Sequence, residues 1–314
     1  MRPFTYARAA TADDAVAQHT DGSAYLGGGT NLVDLMRLGV ALPSRLVDVA
    51  HLPHGEIEAG EDGLVIGATV RNSDLAAHPA VRERAPVLAR AVLSGASGQI
   101  RNMATVGGNL LQNTRCSYFQ DVTRACNRRE PGTGCPAREG EHHNLAIIGH
   151  TPDCVATHPS DMAVALAALD ATVGIHGRGE TSLDDLYGTD PTRNSALAPG
   201  DLITHVRVPY LDMPGTYRKV RERATFAFAL VSIAAALDVA DGVVRDCRIA
   251  LGGVAAKPWR ARRAEAALRG APATEEEFTR AADAELSRAK PLRDNGYKVP
   301  LARNLIVRTL GELS

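Results

Sequence analysis

Short apolar runs broken by glycine turns dominate the first two thirds of this chain, and a longer strand-and-helix pattern takes over after Gly215. The run Ala24-Tyr25-Leu26 leads into Gly27-Gly28-Gly29-Thr30-Asn31-Leu32-Val33-Asp34-Leu35-Met36, which reads as strand, tight turn and helix. Ser44-Arg-Leu-Val-Asp-Val49 and Leu64-Val-Ile-Gly67 are further strand candidates. From Ser160 to Ala171 apolar residues occupy nearly every side, with Ser160 as N-cap and Asp161 facing the helix dipole, which predicts a buried helix. Val231 to Ala240, the pair Asp241-Gly242 and Val243 to Leu251 read as a hairpin. Helices follow, one of them opened by Thr274-Glu-Glu-Glu277 as a capping box. This pattern divides the chain into residues 1–53, residues 54–212 with a cysteine-rich insertion at 112–157, and residues 213–314.

Composition narrows the class. At 314 residues, 45% of them hydrophobic and 23% charged, the chain can bury a sizeable core across two or three domains. A net charge of -1 offers no broad footprint for nucleic acid or an anionic membrane, so the arginine patches at 218–223 and 260–263 read as solvated or interfacial faces. No apolar run reaches about 18 residues, so no membrane insertion is expected.

Two glycine turns carry candidate chemistry. In the first, three glycines let the backbone approach a ligand, and the amides at the helix start, with the Thr30 hydroxyl, can hold a pyrophosphate; a plain turn is the competing reading. The Gly-x-Gly-x-x-Gly dinucleotide fingerprint is absent, since position 32 is leucine. The second turn, Ala104-Thr105-Val106-Gly107-Gly108-Asn109-Leu110, repeats the opportunity, and Asn109 can both donate and accept; its alternative is a bend closing a strand pair.

Between the second turn and the buried helix lie Cys116, Cys126, Cys135 and Cys154, separated by nine, eight and eighteen residues. Structural zinc sites use shorter knuckles, and disulfides need an oxidising compartment for which no leader is apparent; neither is eliminated. An iron–sulfur cluster needs four thiolates from a loop able to wrap it, and Pro131, Gly132 and Gly134 supply the turns. Cys247 lies far away in a strand and reads as an ordinary buried thiol.

In their order, these motifs resemble the FAD-binding subunits of the xanthine dehydrogenase and molybdenum aldehyde oxidoreductase family. Leu26-Gly-Gly-Gly-Thr-Asn-Leu32 matches the first flavin loop, Thr105-Val-Gly-Gly-Asn109 the second, and Pro159-Ser-Asp161 the acidic position that follows. Lys257-Pro-Trp-Arg260 and Asn295-Gly-Tyr-Lys298 resemble the family's C-terminal domain. The resemblance implies an α+β architecture: two α/β subdomains form an FAD cleft of the vanillyl-alcohol-oxidase (PCMH-type) fold, followed by a domain of antiparallel sheet and helices. It places Leu26, Gly27, Gly28, Gly29, Thr30, Asn31, Leu32, Val33, Asp34, Thr105, Gly107, Gly108, Asn109 and Asp161 against FAD. Ile203 and Lys219 carry over too, against plain readings as core and as a solvated strand residue. The cysteine segments resemble the bacterial branch whose flavin subunit holds one [4Fe–4S] cluster, which makes Cys116, Cys126, Cys135 and Cys154 the expected ligands.

The partners implied are a large molybdenum-cofactor subunit that oxidises the aldehyde and a small subunit with two [2Fe–2S] centres, with FAD passing electrons to an acceptor. No self-sufficient catalytic set is legible in this chain. Alternatives are a flavin subunit serving a partner that acts on aromatic thioesters or CO, and an FAD oxidase acting alone. Cytoplasm is the default compartment, with the periplasm open if a partner carries the export signal.

Overall fold

Parallel strands need crossover connections, and their carboxyl ends gather at one edge where loops can meet a ligand. The computed structural model, which describes residues 1–314, begins with such a sheet. Strands β1 (Thr5–Arg8), β2 (Ser23–Leu26) and β3 (Arg45–Asp48) are all parallel in the order β1-β3-β2, connected by helices Ala12–Gln18 and Leu32–Arg37. Thr11 caps the first helix by accepting from the Asp14 amide at 3.0 Å. Because Leu26 ends β2, the glycine turn 27–31 emerges at the carboxyl edge of this sheet.

The second sheet is wholly antiparallel. It comprises β4 (Ile57–Ala59), β5 (Gly63–Gly67), β6 (Thr172–Ile175), β7 (Gly179–Ser182) and β8 (Ile203–Pro209), ordered β4-β5-β8-β6-β7. Between β5 and β6 the chain leaves to build short helices, the second glycine turn and the cysteine insertion. A third antiparallel sheet, β12-β11-β10-β9, is formed by β9 (Gly215–Val220), β10 (Val231–Ala240), β11 (Val243–Gly252) and β12 (Trp259–Arg260), followed by helices Arg262–Leu268, Glu275–Leu286 and Lys298–Gly311. The expected hairpin is β10–β11, and Asp241 and Gly242 both take positive φ (54° and 74°), as a tight I′ turn requires. No helix is long and apolar enough to cross a membrane.

Helix Asp161–Ala168 is buried on all sides, as its sequence predicts. It packs against helix Pro86–Ser94 on one side and against β10 and β11 on another, so the largest apolar core runs from the second sheet into the third through Tyr217, Ala234 and Ala250. A second core lies between the third sheet and the C-terminal helices, with Cys247 fully buried in it.

The capping box at Thr274 is only half formed. Its hydroxyl accepts from the Glu277 amide at 3.4 Å, but the Glu277 carboxylate turns to Arg280 and the Thr274 amide donates to Pro272. The firmer cap comes from another helix. Helix Arg262–Leu268 has no side-chain cap of its own, and buried Glu285 accepts from the amides of Arg263 (2.8 Å) and Ala264 (3.2 Å) and from Trp259 Nε1 (2.9 Å). A carboxylate among helix-start amides satisfies both orphan donors and dipole. Glu285→Gln, which keeps the shape and removes the charge, should cost about 2 kcal/mol and lower the melting temperature; an unchanged melting temperature would show that the cap contributes nothing.

Candidate functional site

The two glycine turns press against each other. A Cβ on Gly28 would fall inside the contact radius of the Met103 carbonyl, and one on Gly27 would lie 2.8 Å from Thr105 Oγ1. Gly29 takes φ +74°, which favours glycine. The second turn is held by a short helix, Val106–Leu110, whose N-cap Thr105 accepts from the Gly108 amide at 3.2 Å. Its backbone is also pinned to 68–72: Asn72 N donates to Ala104 O (2.9 Å), Val106 N to Val70 O (3.0 Å) and Gly107 N to Ala68 O (2.9 Å). The sequence reading gave Gly28 and Gly108 to ligand approach. In the structure, protein atoms claim both Cβ positions first: Met103 O at Gly28, and Thr105 Oγ1, 2.9 Å away, at Gly108.

Two clefts open on either side of this junction. One, of about 1000 Å³, is lined by Gly27, Gly28, Gly29, Thr30, Asn31, Leu32, Thr105, Gly107, Gly108 and Ile203. The other, of about 1360 Å³, is lined by Thr30, Asn31, Asp34, Gly108, Asn109, Asp161 and Lys219 among others. Thr30, Asn31 and Gly108 border both, so the clefts are two ends of one elongated site. Every residue that the resemblance sets against FAD lines it except Leu26 and Val33, which instead flank Gly29.

Buried polar atoms without partners cost free energy, so a ligand that meets those lining the clefts gains affinity. Asn31 accepts from Asn113 N at 2.8 Å through Oδ1, yet its Nδ2 is buried without a partner at the junction of the clefts. His54 Nε2 in the first cleft, and Asn72 Oδ1 and Arg115 Nε in the second, are orphaned in the same way. Burial lowers the His54 pKa, favouring the neutral ring. Sequence reasoning missed these three residues. Arg115, between the second turn and Cys116, was the one with a positional signal.

Asp161 and Lys219 meet in the second cleft. Lys219 Nζ lies 2.8 Å from Asp161 Oδ2, with both side chains less than 10% exposed, and also donates to Ser94 O at 3.2 Å. Tyr217 donates its hydroxyl to Asp161 Oδ1 at 2.5 Å. Burial and this carboxylate push the Tyr217 pKa well up, so the phenol keeps its proton. Lys219 is therefore no solvated strand residue, and Asp161 already spends both oxygens within the protein.

The cysteine insertion folds over its own small core, in which Cys116 and Cys154 are buried and Cys126 and Cys135 half-buried; all are free thiols. The four line one small cavity. Nearby backbone amides, and the Arg128 guanidinium beside Cys154, pull the thiol pKa values of Cys116, Cys135 and Cys154 down. Burial nevertheless raises all three thiols, Cys116 to about 11. Asn127 shapes the loop, accepting from Gly132 N (3.1 Å) and Gly134 N (2.8 Å) and donating to Asp153 O (2.9 Å), while Gly132 and Gly134 take the positive φ their turns need.

The loop junction is directly testable. Gly28→Ala must drive the Met103–Thr105 backbone away, and overpacking of this kind costs about 1–3 kcal/mol. Thermal melting should drop accordingly, and an unaltered melting curve would mean that the turns do not touch.

Two family models together match nearly the whole chain. Residues 2–211 match the family described as the FAD binding domain in molybdopterin dehydrogenase, and residues 215–313 match the CO dehydrogenase flavoprotein C-terminal domain. The chain is 47% identical to the aldehyde oxidoreductase FAD-binding subunit PaoB of Escherichia coli, covering 99% of this chain and 98% of that one. It is 28% identical to the glyceraldehyde dehydrogenase medium chain of Sulfolobus acidocaldarius over 83% of this chain and 79% of the relative. Among solved structures, carbon monoxide dehydrogenase from Hydrogenophaga pseudoflava superposes with a TM-score of 0.77 at 27% identity, covering 99% of this chain and 97% of its own. With FAD-type clefts, an antiparallel C-terminal domain and both family matches in one chain, the protein belongs to the family of FAD-binding subunits of molybdenum-containing aldehyde oxidoreductases and CO dehydrogenases.

Proposed function

We propose that this chain is the electron-transfer subunit of a heterotrimeric molybdenum aldehyde oxidoreductase, folded as units 1–53, 54–212 and 213–314. A large molybdenum subunit would oxidise the aldehyde, and a small subunit with two [2Fe–2S] centres would deliver the electrons. The aldehyde assignment rests on the relative at 47% identity, since the clefts of this chain offer no substrate chemistry of their own.

The observation that carries FAD binding at this site is the cluster of orphaned polar atoms along one elongated cleft. Backbone amides of the first turn and Thr30 would take the pyrophosphate, and Asn31, Asn109 and Gly108 would border it where the clefts join. Ile203 would pack in the first cleft. Lys219 would present a cation whose position Asp161 fixes, so Asp161 acts by orienting Lys219 more than by receiving a cofactor hydroxyl. When bound, FAD supplies the hydride and one-electron chemistry that side chains lack. Asn31→Asp keeps the acceptor for Asn113 and removes the unpartnered donor, so FAD affinity should fall about tenfold or more. Full flavin retention with an unchanged dissociation constant would refute the assignment.

Cys116, Cys126, Cys135 and Cys154 fit one [4Fe–4S] cluster by the chemistry of the donor set. Four thiols from one loop line one cavity, as a cubane with one thiolate per iron requires. A single zinc would draw all four sulfurs to about 2.3 Å. In a cubane each iron takes its own thiolate, so the ligands stand further apart. Cys135→Ala should abolish iron binding, whereas Cys247→Ala should leave it intact. Iron analysis and low-temperature EPR of anaerobically purified protein decide this, and about four irons per chain surviving in Cys135→Ala, or zinc in the wild type, would end the reading.

A further inference from the structure

The stretch between Cys135 and Cys154 has few means of holding its own shape, yet its return limb is held at every step by the C-terminal domain. Lys298, fully buried, donates to three carbonyls: Asn144 O (2.9 Å), Leu145 O (3.1 Å) and Gly253 O (2.8 Å). Asn295, equally buried, donates to Ala146 O (3.2 Å) and Leu145 O (3.4 Å) and is itself fixed by Leu292 N on Oδ1 at 2.7 Å. His142 Nε2 accepts from the Asp294 amide at 3.0 Å, with Nδ1 turned to Ala137 O at 3.1 Å. Tyr297 donates to His143 O at 3.1 Å. The anchored limb then reaches the ligands, since Ala146 N donates to Val155 O at 2.9 Å, beside Cys154, and Ala137 sits two residues after Cys135.

We propose that the corner Asp294–Lys298 is a positioning element for the cysteine site, with Asn295 and Lys298 as its principal positioning residues. This rests on the reading of the four cysteines as one cluster site. The physical reason is preorganisation: ordering a flexible loop costs conformational entropy for each residue fixed, and a limb already anchored removes that cost from cluster binding. Lys298 suits the task because an ammonium has three donors and meets three carbonyl acceptors from two segments. Burial works against it, pushing its pKa down to about 7.

The test compares Lys298→Met with the milder Tyr297→Phe in the full chain purified anaerobically. Iron release to a chelator should accelerate about tenfold in Lys298→Met, the factor that roughly 1.4 kcal/mol confers, and less in Tyr297→Phe, with FAD per chain unchanged. Hydrogen exchange at residues 142–150 should speed up in both variants, in iron-free protein as well. Unchanged exchange there, iron release at the wild-type rate in both variants, or joint loss of FAD and iron with the whole melting transition would overturn the proposal. Wild-type protein that holds no iron under anaerobic purification would instead sink the cluster assignment, leaving hydrogen exchange to judge the anchor by itself.

Discussion

The buried pair Asp161–Lys219 is the constraint on which the arrangement depends, because it adds a directional, fully matched contact where the core helix and the third sheet otherwise share only apolar packing. Asp161 opens the helix that runs through the core, Lys219 lies on β9 of the third sheet, and Tyr217 on the same strand takes the second carboxylate oxygen. Removing two charges from water costs several kcal/mol per ion, offset only if every donor and acceptor is matched. Here the match extends to Ser94 O, and Gly95 leaves room, since a Cβ there would lie 3.1 Å from Asp161 Oδ2. The pair thus contributes registry: it locks the C-terminal domain against the cleft in one position and fixes a cation in the second cleft.

Close contact of backbone with backbone does the equivalent work at the other side of the cleft. Gly28 rests on the Met103–Ala104 backbone, which has no rotamers to give way, and Gly27 on the Thr105 side chain, so the parallel sheet and the second unit touch closely. A site assembled in this way is rigid at the phosphate-sized turns and leaves its adaptable side chains, such as Arg101, Arg221 and Phe228, to the rim of the second cleft.

The cysteine insertion follows a different rule. It contributes only seven buried residues to an apolar cluster completed by Leu35, too few to stand alone, so Asn127 and the anchoring from residues 294–298 share the ordering. The motif Asn295-Gly-Tyr-Lys298, legible only as a likeness in the sequence, gains its physical meaning here: it meets the insertion about 150 residues away along the chain.

Local patterns were sufficient for much of the structure. The β10–β11 hairpin, the buried helix after Ser160 and the strand–turn–helix at Gly27 are encoded by periodicity, caps and turn residues within about ten neighbours, and both glycine turns do line the cleft. Tertiary structure alone decided what those residues touch. Gly28 answers to Met103, Lys219 to Asp161, Glu285 to a helix start on another element, and Lys298 to the cysteine insertion. No window of sequence contains both partners of these contacts. Burial, hydrogen-bond matching and steric exclusion are set by atoms brought together from distant positions, and they come into being only when the chain has closed on itself.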